Sequence, residues 1–209
     1  MNRLMATVAF ALLAACSKQP VQPGTSSETT ATDRSSSTPL IIRDSPLNPT
    51  PLGFELDYAN IEGVRSKLAG VAELEDVGTL EFSKGPVLVA KGTDLEVEDL
   101  KSAAFVFDDG GTLEGVMLTF PRGPQHPGAT RKLAEQLGRK YQLVSKDFDS
   151  FLDHGSFRFE HGDAWIEIQS PHLSFEMTAM YGTKSLIAAF DAMSAESSKV
   201  AREKKEAML

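Results

Sequence analysis

One thiol and four imidazoles carry most of the reactive chemistry this chain can offer. The thiol belongs to Cys16, the only cysteine among 209 residues, so no disulfide can close within one chain. Leu13-Ala14-Ala15 precede it, and before them Leu4 to Leu13 is apolar except at Thr7, with Arg3 as the only charge. A charged start, a short apolar stretch and small residues before a processing point form the pattern of a secretory signal. The stretch is shorter than the roughly 20 apolar residues a membrane span needs. The imidazoles are His126, His154, His161 and His172. His154 and His161 flank one expected strand and, with Asp153 or Asp163, offer ligand types a metal-dependent hydrolase uses, but no pair has a recognised zinc spacing. There is no Gly-x-Ser-x-Gly elbow, His-Glu-x-x-His pair, Walker-type glycine loop or Ser-x-x-Lys. Catalytic residues, a resident metal and a cofactor are therefore not expected.

The carboxylates read as surface. Asp94, Glu96, Glu98 and Asp99 lack the Asp-x-Asp-x-Asp-Gly spacing that wraps calcium, which leaves a solvated charged face. Asp108-Asp109 before two glycines is turn chemistry. Trp165 falls where an inward hairpin side chain is expected. The strongest surface candidate is the loop from Pro121 to Gly128. Its three prolines lower the entropy cost of ordering, and Arg122, Gln125 and His126 offer polar contacts.

Leu13-Ala14-Ala15-Cys16 resembles the lipobox of bacterial lipoproteins. That resemblance implies removal of residues 1–15 and fatty acylation of Cys16, which would become the mature N-terminus. A single acyl chain holds a protein only reversibly, whereas the diacylglyceryl group plus N-acyl chain of this family anchors it durably. Ser17 stands where an aspartate would imply retention in the inner membrane, so the expected location is the outer membrane, facing the periplasm.

The elements that must position any site begin after a tether. Residues 16–51 are rich in Ser, Thr and Pro and cannot bury enough apolar surface to fold. As a flexible coil they span about 30–35 Å. The net charge of −8 is concentrated in residues 51–209, which carry −9. This disfavours nucleic acid and adhesion to anionic lipid as partners.

Within the domain, expected at 52–194, Gly53 to Leu56 alternates like a strand. Asn60 can cap a helix whose stripe is Ile61, Val64 and Leu68, closed by Gly70. Val71 to Ala90 reads as two strands about a turn at Ser83 to Pro86, with Leu80 and Phe82 alternating in the first. Thr93 to Glu96 fits either a capping box or a strand. Phe105 to Phe120 is a hairpin about Asp108 to Gly111, and a second helix spans about Ala129 to Lys140, followed by a strand at Gln142 to Val144. Phe157 to Ile168 is another hairpin, and overlaying it on the first matches Phe157 with Phe105 and Trp165 with Leu113. Leu173, Phe175 and Met177 read as one side of a further strand. Thr183 can cap a last helix with the stripe Leu186, Ile187, Phe190 and Met193, and residues 195–209 read as a charged helical extension.

The expected fold is α+β: an antiparallel sheet with two to three helices mainly on one face, arranged as two helix-plus-strands half-repeats. In arrangement alone, residues 53–193 loosely resemble small outer-membrane-assembly lipoproteins and the half-repeats of β-lactamase-inhibitor-like proteins. The leading expectation is a non-enzymatic lipoprotein whose tethered domain binds an envelope protein. The alternatives are an inhibitor of a secreted hydrolase and a metal-dependent hydrolase using His154 and His161.

Overall fold

The computed structural model describes residues 46–193 and Glu196. The expected signal segment, Cys16, the tether as far as Ser45 and the C-terminal extension apart from Glu196 lie outside those residues. Eight strands form one antiparallel sheet: β1 (Leu74–Thr79), β2 (Pro86–Lys91), β3 (Ser102–Phe107), β4 (Leu113–Pro121), β5 (Gln142–Asp149), β6 (His154–His161), β7 (Ala164–Ser170) and β8 (Glu176–Thr183). Their order across the sheet is β1-β2-β3-β4-β8-β7-β6-β5. Helix α1 (Ile61–Leu68) precedes the first four strands and α2 (Ala129–Gly138) the last four. Each half is thus a helix followed by a four-strand meander. The halves join where β4 pairs with β8, from Gly115 opposite Gly182 to Pro121 opposite Glu176.

This arrangement corrects the hairpin overlay. Phe105 lies on β3, the third strand of its half, whereas Phe157 lies on β6, the second strand of the other. The matching Phe-x-Phe spacing reflects inward alternation on two different strands, a period-two rule common to any half-buried strand.

Local chemistry explains the helix boundaries. Asn60 Oδ1 accepts from the Gly63 N–H at 2.8 Å, Glu62 sits in the first turn and Arg65 and Lys67 in the last, as the helix dipole favours. Gly70, at φ +77°, adopts the left-handed conformation just past the end. Asn60→Ala is expected to cost about 1 kcal/mol, read as a lower urea midpoint with unchanged slope.

Helices α1 and α2 cover the inner face. Val64, Leu68, Ala134 and Leu137 close over Leu88, Phe105, Val116, Phe159, Ile166 and Ile168, and the Phe54 ring meets Phe105 edge-on at 5.6 Å. The third helix, residues 184–193, packs on the other face. Thr183 Oγ1 accepts from the Leu186 N–H at 3.1 Å, and Leu186 sits among Val87, Ala104 and Val106. Two glycines facing each other across the central pair admit it closely. A Cβ on Gly115 would lie 2.6 Å from Leu186 Cδ2, and one on Gly182 2.9 Å from Ile187 Cδ1.

Several local expectations are overturned. Gly53 closes a 3-10 turn, Pro51–Gly53, and the chain beyond it is not a strand. Leu80 and Phe82 belong to the turn after β1, packing against the third helix's side of the sheet. Gly92–Asp94 is a single 3-10 turn, which excludes the strand; it starts before Thr93 and has no side-chain cap, so the helical turn is present without the capping box. Trp165 faces away from the main core, because Ala164, Ile166 and Ile168 take the inward positions of β7. Its ring is covered instead by the Arg158 guanidinium, 4.8 Å from the centroid, which also bonds Glu167 at 2.8 Å.

Glu114 on β4 gives a pH signature. Burial, reinforced by Asp108 and Asp57, raises its carboxyl above the usual 4.5, against a hydrogen bond with Ser185 that lowers it. The folded chain therefore holds this proton more tightly than the unfolded chain, and stability falls as pH rises from 4.5 through the folded value. Glu114→Gln is expected to raise the Tm at pH 7 and to leave it unchanged near pH 4, as thermal melts at the two values would show.

Candidate binding surface

Turns of a meander alternate between the two ends of the sheet, so each end is assembled from segments far apart in sequence. The near end holds the β6–β7 turn, against which the first described residues lie: Asp163 N–H donates to Asn48 Oδ1 at 3.0 Å, and Asn48 Nδ2 to the Leu56 carbonyl at 3.2 Å. The far end, about 25 Å away along an eight-residue strand, gathers four connections. These are residues 92–101, the 121–128 loop, the β5–β6 turn at 150–153 and the β7–β8 turn at 171–175.

The 121–128 loop is where polar contacts were expected, and the structure divides its three residues. Arg122 is a clamp: its side chain is 9% exposed. Nη1 donates to the Pro171 carbonyl at 2.5 Å, Nη2 to the Leu152 carbonyl at 3.2 Å, and Nε lies 3.9 Å from Asp153 Oδ2. Its own N–H donates to the Phe175 carbonyl at 2.8 Å. Thr130, at the start of α2, donates to Asp153 Oδ2 at 3.1 Å, and Ser170 Oγ donates to the Asp153 carbonyl at 2.7 Å. One side chain thus fastens three loops. Gln125 and His126 remain at the surface, with His126 Nδ1 3.6 Å from Asp99 Oδ2.

The clamped turns present what the sequence reading missed. Phe151 is 93% exposed, Leu173 85%, Phe175 75% and Leu152 44%. Leu173 and Phe175 were expected to share one side of a strand with Met177, but β8 starts only at Glu176, and Leu173 sits at φ +63° in the preceding turn. Asp149 shapes the other tip. Its Oδ1 accepts from the N–H groups of Phe151 at 2.8 Å and Leu152 at 3.2 Å, and these bonds hold its carboxyl below the usual range. Such bonds are present at neutral pH and are lost as pH falls through the depressed folded value.

Two recesses flank the loop. One of about 310 Å³ lies between Arg122, Arg131 and the Phe148, Phe151 and Leu152 side. The other, about 470 Å³, has a floor of Phe120, Leu133 and Met177 and a rim that includes Glu98, Asp99, Gln125, His126 and Lys132. Volumes of this order suit one or two side chains of a partner or a small ligand.

The histidines do not assemble as the metal-hydrolase alternative required. His154 and His161 stand at opposite ends of β6. His154 instead meets His172, edge to face at 5.2 Å, and its Nδ1 is buried without a hydrogen-bond partner, while His161 lies 5.5 Å from the Tyr141 ring. Among the described residues, no three His, Cys, Asp or Glu side chains are grouped to hold a metal ion. No family model, no curated protein and no solved structure matches this chain.

Proposed function

We propose that this chain is a bacterial lipoprotein, acylated at Cys16 and held at the envelope, whose domain binds a protein partner and performs no catalysis. The observation that carries the binding part is the group of four exposed apolar side chains on two adjacent, clamped turns. A lone exposed apolar residue needs no explanation, but four of them on two turns that Arg122 ties together mark an interaction surface. Its position supports a tethered binder, because the first described residues, at Asn48, lie against the β6–β7 turn at the opposite end of the sheet. The outer membrane, facing the periplasm, is the location we propose from Ser17 following Cys16.

The full-length chain, extracted from envelopes in mild detergent, is expected to carry a diacylglyceryl thioether on Cys16 by mass spectrometry and to co-elute with a protein in fixed stoichiometry. An unmodified Cys16 would remove the anchor, and elution alone at concentrations near those in the envelope would remove the binding role. A narrower version makes the partner a secreted hydrolase, because protruding turns such as the one bearing Phe151 suit insertion into a concave cleft. Inhibition of a lysozyme or β-lactamase that disappears in Phe151→Ser would establish that version.

A further inference from the structure

Beside the apolar turns, the far end carries a run of carboxylates that no lysine or arginine among the described residues pairs with. Asp94, Glu96, Glu98 and Asp99 fall within six residues of the β2–β3 connection. Among the described residues, none of the four forms an ion pair with a lysine or arginine, and only Asp99 approaches a histidine, at 3.6 Å. Neighbouring cations are engaged elsewhere: Lys101 pairs with Glu176 and Arg122 is committed to its clamp. Glu98 and Asp99 stand on the rim of the recess of about 470 Å³, whose floor of Phe120, Leu133 and Met177 is apolar. The lining includes one lysine, Lys132.

We infer that this recess receives a segment of the partner protein that combines an aliphatic or aromatic side chain with flanking lysines or arginines. This rests on the binding role proposed above and adds the chemistry of what is bound. The floor desolvates the apolar side chain, and the Glu98–Asp99 pair on the rim meets the basic ones. Gln125 at the rim adds hydrogen bonding to the segment's backbone. The same carboxylates oppose an anionic bilayer as the occupant, since an acidic rim would be pressed against like charge. They equally oppose an acidic segment, because juxtaposed like charges select against wrong partners.

The test uses the full lipidated chain in intact cells, with Gln125 replaced by the photo-reactive p-benzoylphenylalanine and the cross-linked segment identified by mass spectrometry. The expected adduct contains at least one large apolar residue flanked by lysine or arginine. In the double variant Glu98→Lys with Asp99→Lys its yield is expected to fall about tenfold, the scale of one to two partly screened charge pairs. Changing the partner's basic residues to glutamate should restore it. An acidic segment, a lipid adduct, or a yield indifferent to the charge reversal overturns the inference. A parallel cross-linker at Phe151 separates the two levels. A protein adduct there that ignores the reversal leaves the binding role standing and removes only the basic-segment assignment, whereas no protein adduct at either position removes both.

Discussion

Arg122→Ala is expected to destabilise the domain by about 1–3 kcal/mol, the cost of leaving a polar group without its partner at a partly buried position. The size follows from what is left behind. The Pro171 and Leu152 carbonyls lose their donor, and Asp153, already at φ +49°, loses the cation beside its carboxylate. The Pro171 acceptor is part-buried and the Leu152 acceptor exposed, so water replaces the lost donor more readily at the second than at the first. Urea unfolding gives the total, and hydrogen exchange gives its distribution. Protection should fall first at the 121–128, 150–153 and 171–175 segments and later in β3 and β4. Arg122→Lys should recover only part of the loss, because an ammonium cannot hold the fixed fork that reaches two carbonyls and a carboxylate together. A loss below about 1 kcal/mol for Arg122→Ala would mean that the loops hold themselves, and the clamp would then be incidental.

The second large effect separates binding from folding. Phe151→Ser combined with Phe175→Ser removes two aromatic side chains that are 93% and 75% exposed. Stability should change by no more than about 0.5 kcal/mol, because exposed positions contribute little to the core. Affinity for the partner should fall about 30-fold or more, corresponding to at least about 2 kcal/mol for a pair of aromatic anchors at an interface. Calorimetric or surface-resonance titration of the wild-type and variant chains against the captured partner measures this. Unchanged affinity would show that the tips are solvent-facing by accident of turn geometry. The contrast with Arg122→Ala is informative, since that variant should lose binding and stability together.

The parts of the fold legible in the sequence were those set by short-range rules. Asn60, Gly70 and Thr183 mark helix ends through hydrogen bonds and a left-handed backbone that neighbours three or four residues away require. Asp108 in the β3–β4 turn accepts from the Thr112 N–H at 2.7 Å, as a turn aspartate should. The pairing of β4 with β8 was not legible, because it joins strands separated by the whole second half and depends on the two meanders meeting edge to edge. Nor was the side taken by the third helix, which depends on Gly115 and Gly182 facing each other across that pair.

The candidate surface was half legible. The proline-rich loop does present Gln125 and His126 at the surface, yet Arg122 points inward. A loop arginine can be buried wherever carbonyls from neighbouring turns converge on it, and sequence does not show that convergence. Phe151 did leave a trace, since Asp149-Ser150-Phe151-Leu152-Asp153 places two large apolar residues between turn-forming polar ones. Leu173 and Phe175 misled because their spacing continues that of β8, whereas the strand begins one residue after Phe175.

Cross-linking from the two ends of the domain tests the central claim most directly. A photo-reactive residue at Phe151, on the far end, is compared in living cells with one at Asp163, on the end where the linker enters. The account predicts a discrete protein adduct from Phe151 and none of comparable yield from Asp163. A partner captured from Asp163 alone, or lipid captured from Phe151, would contradict it.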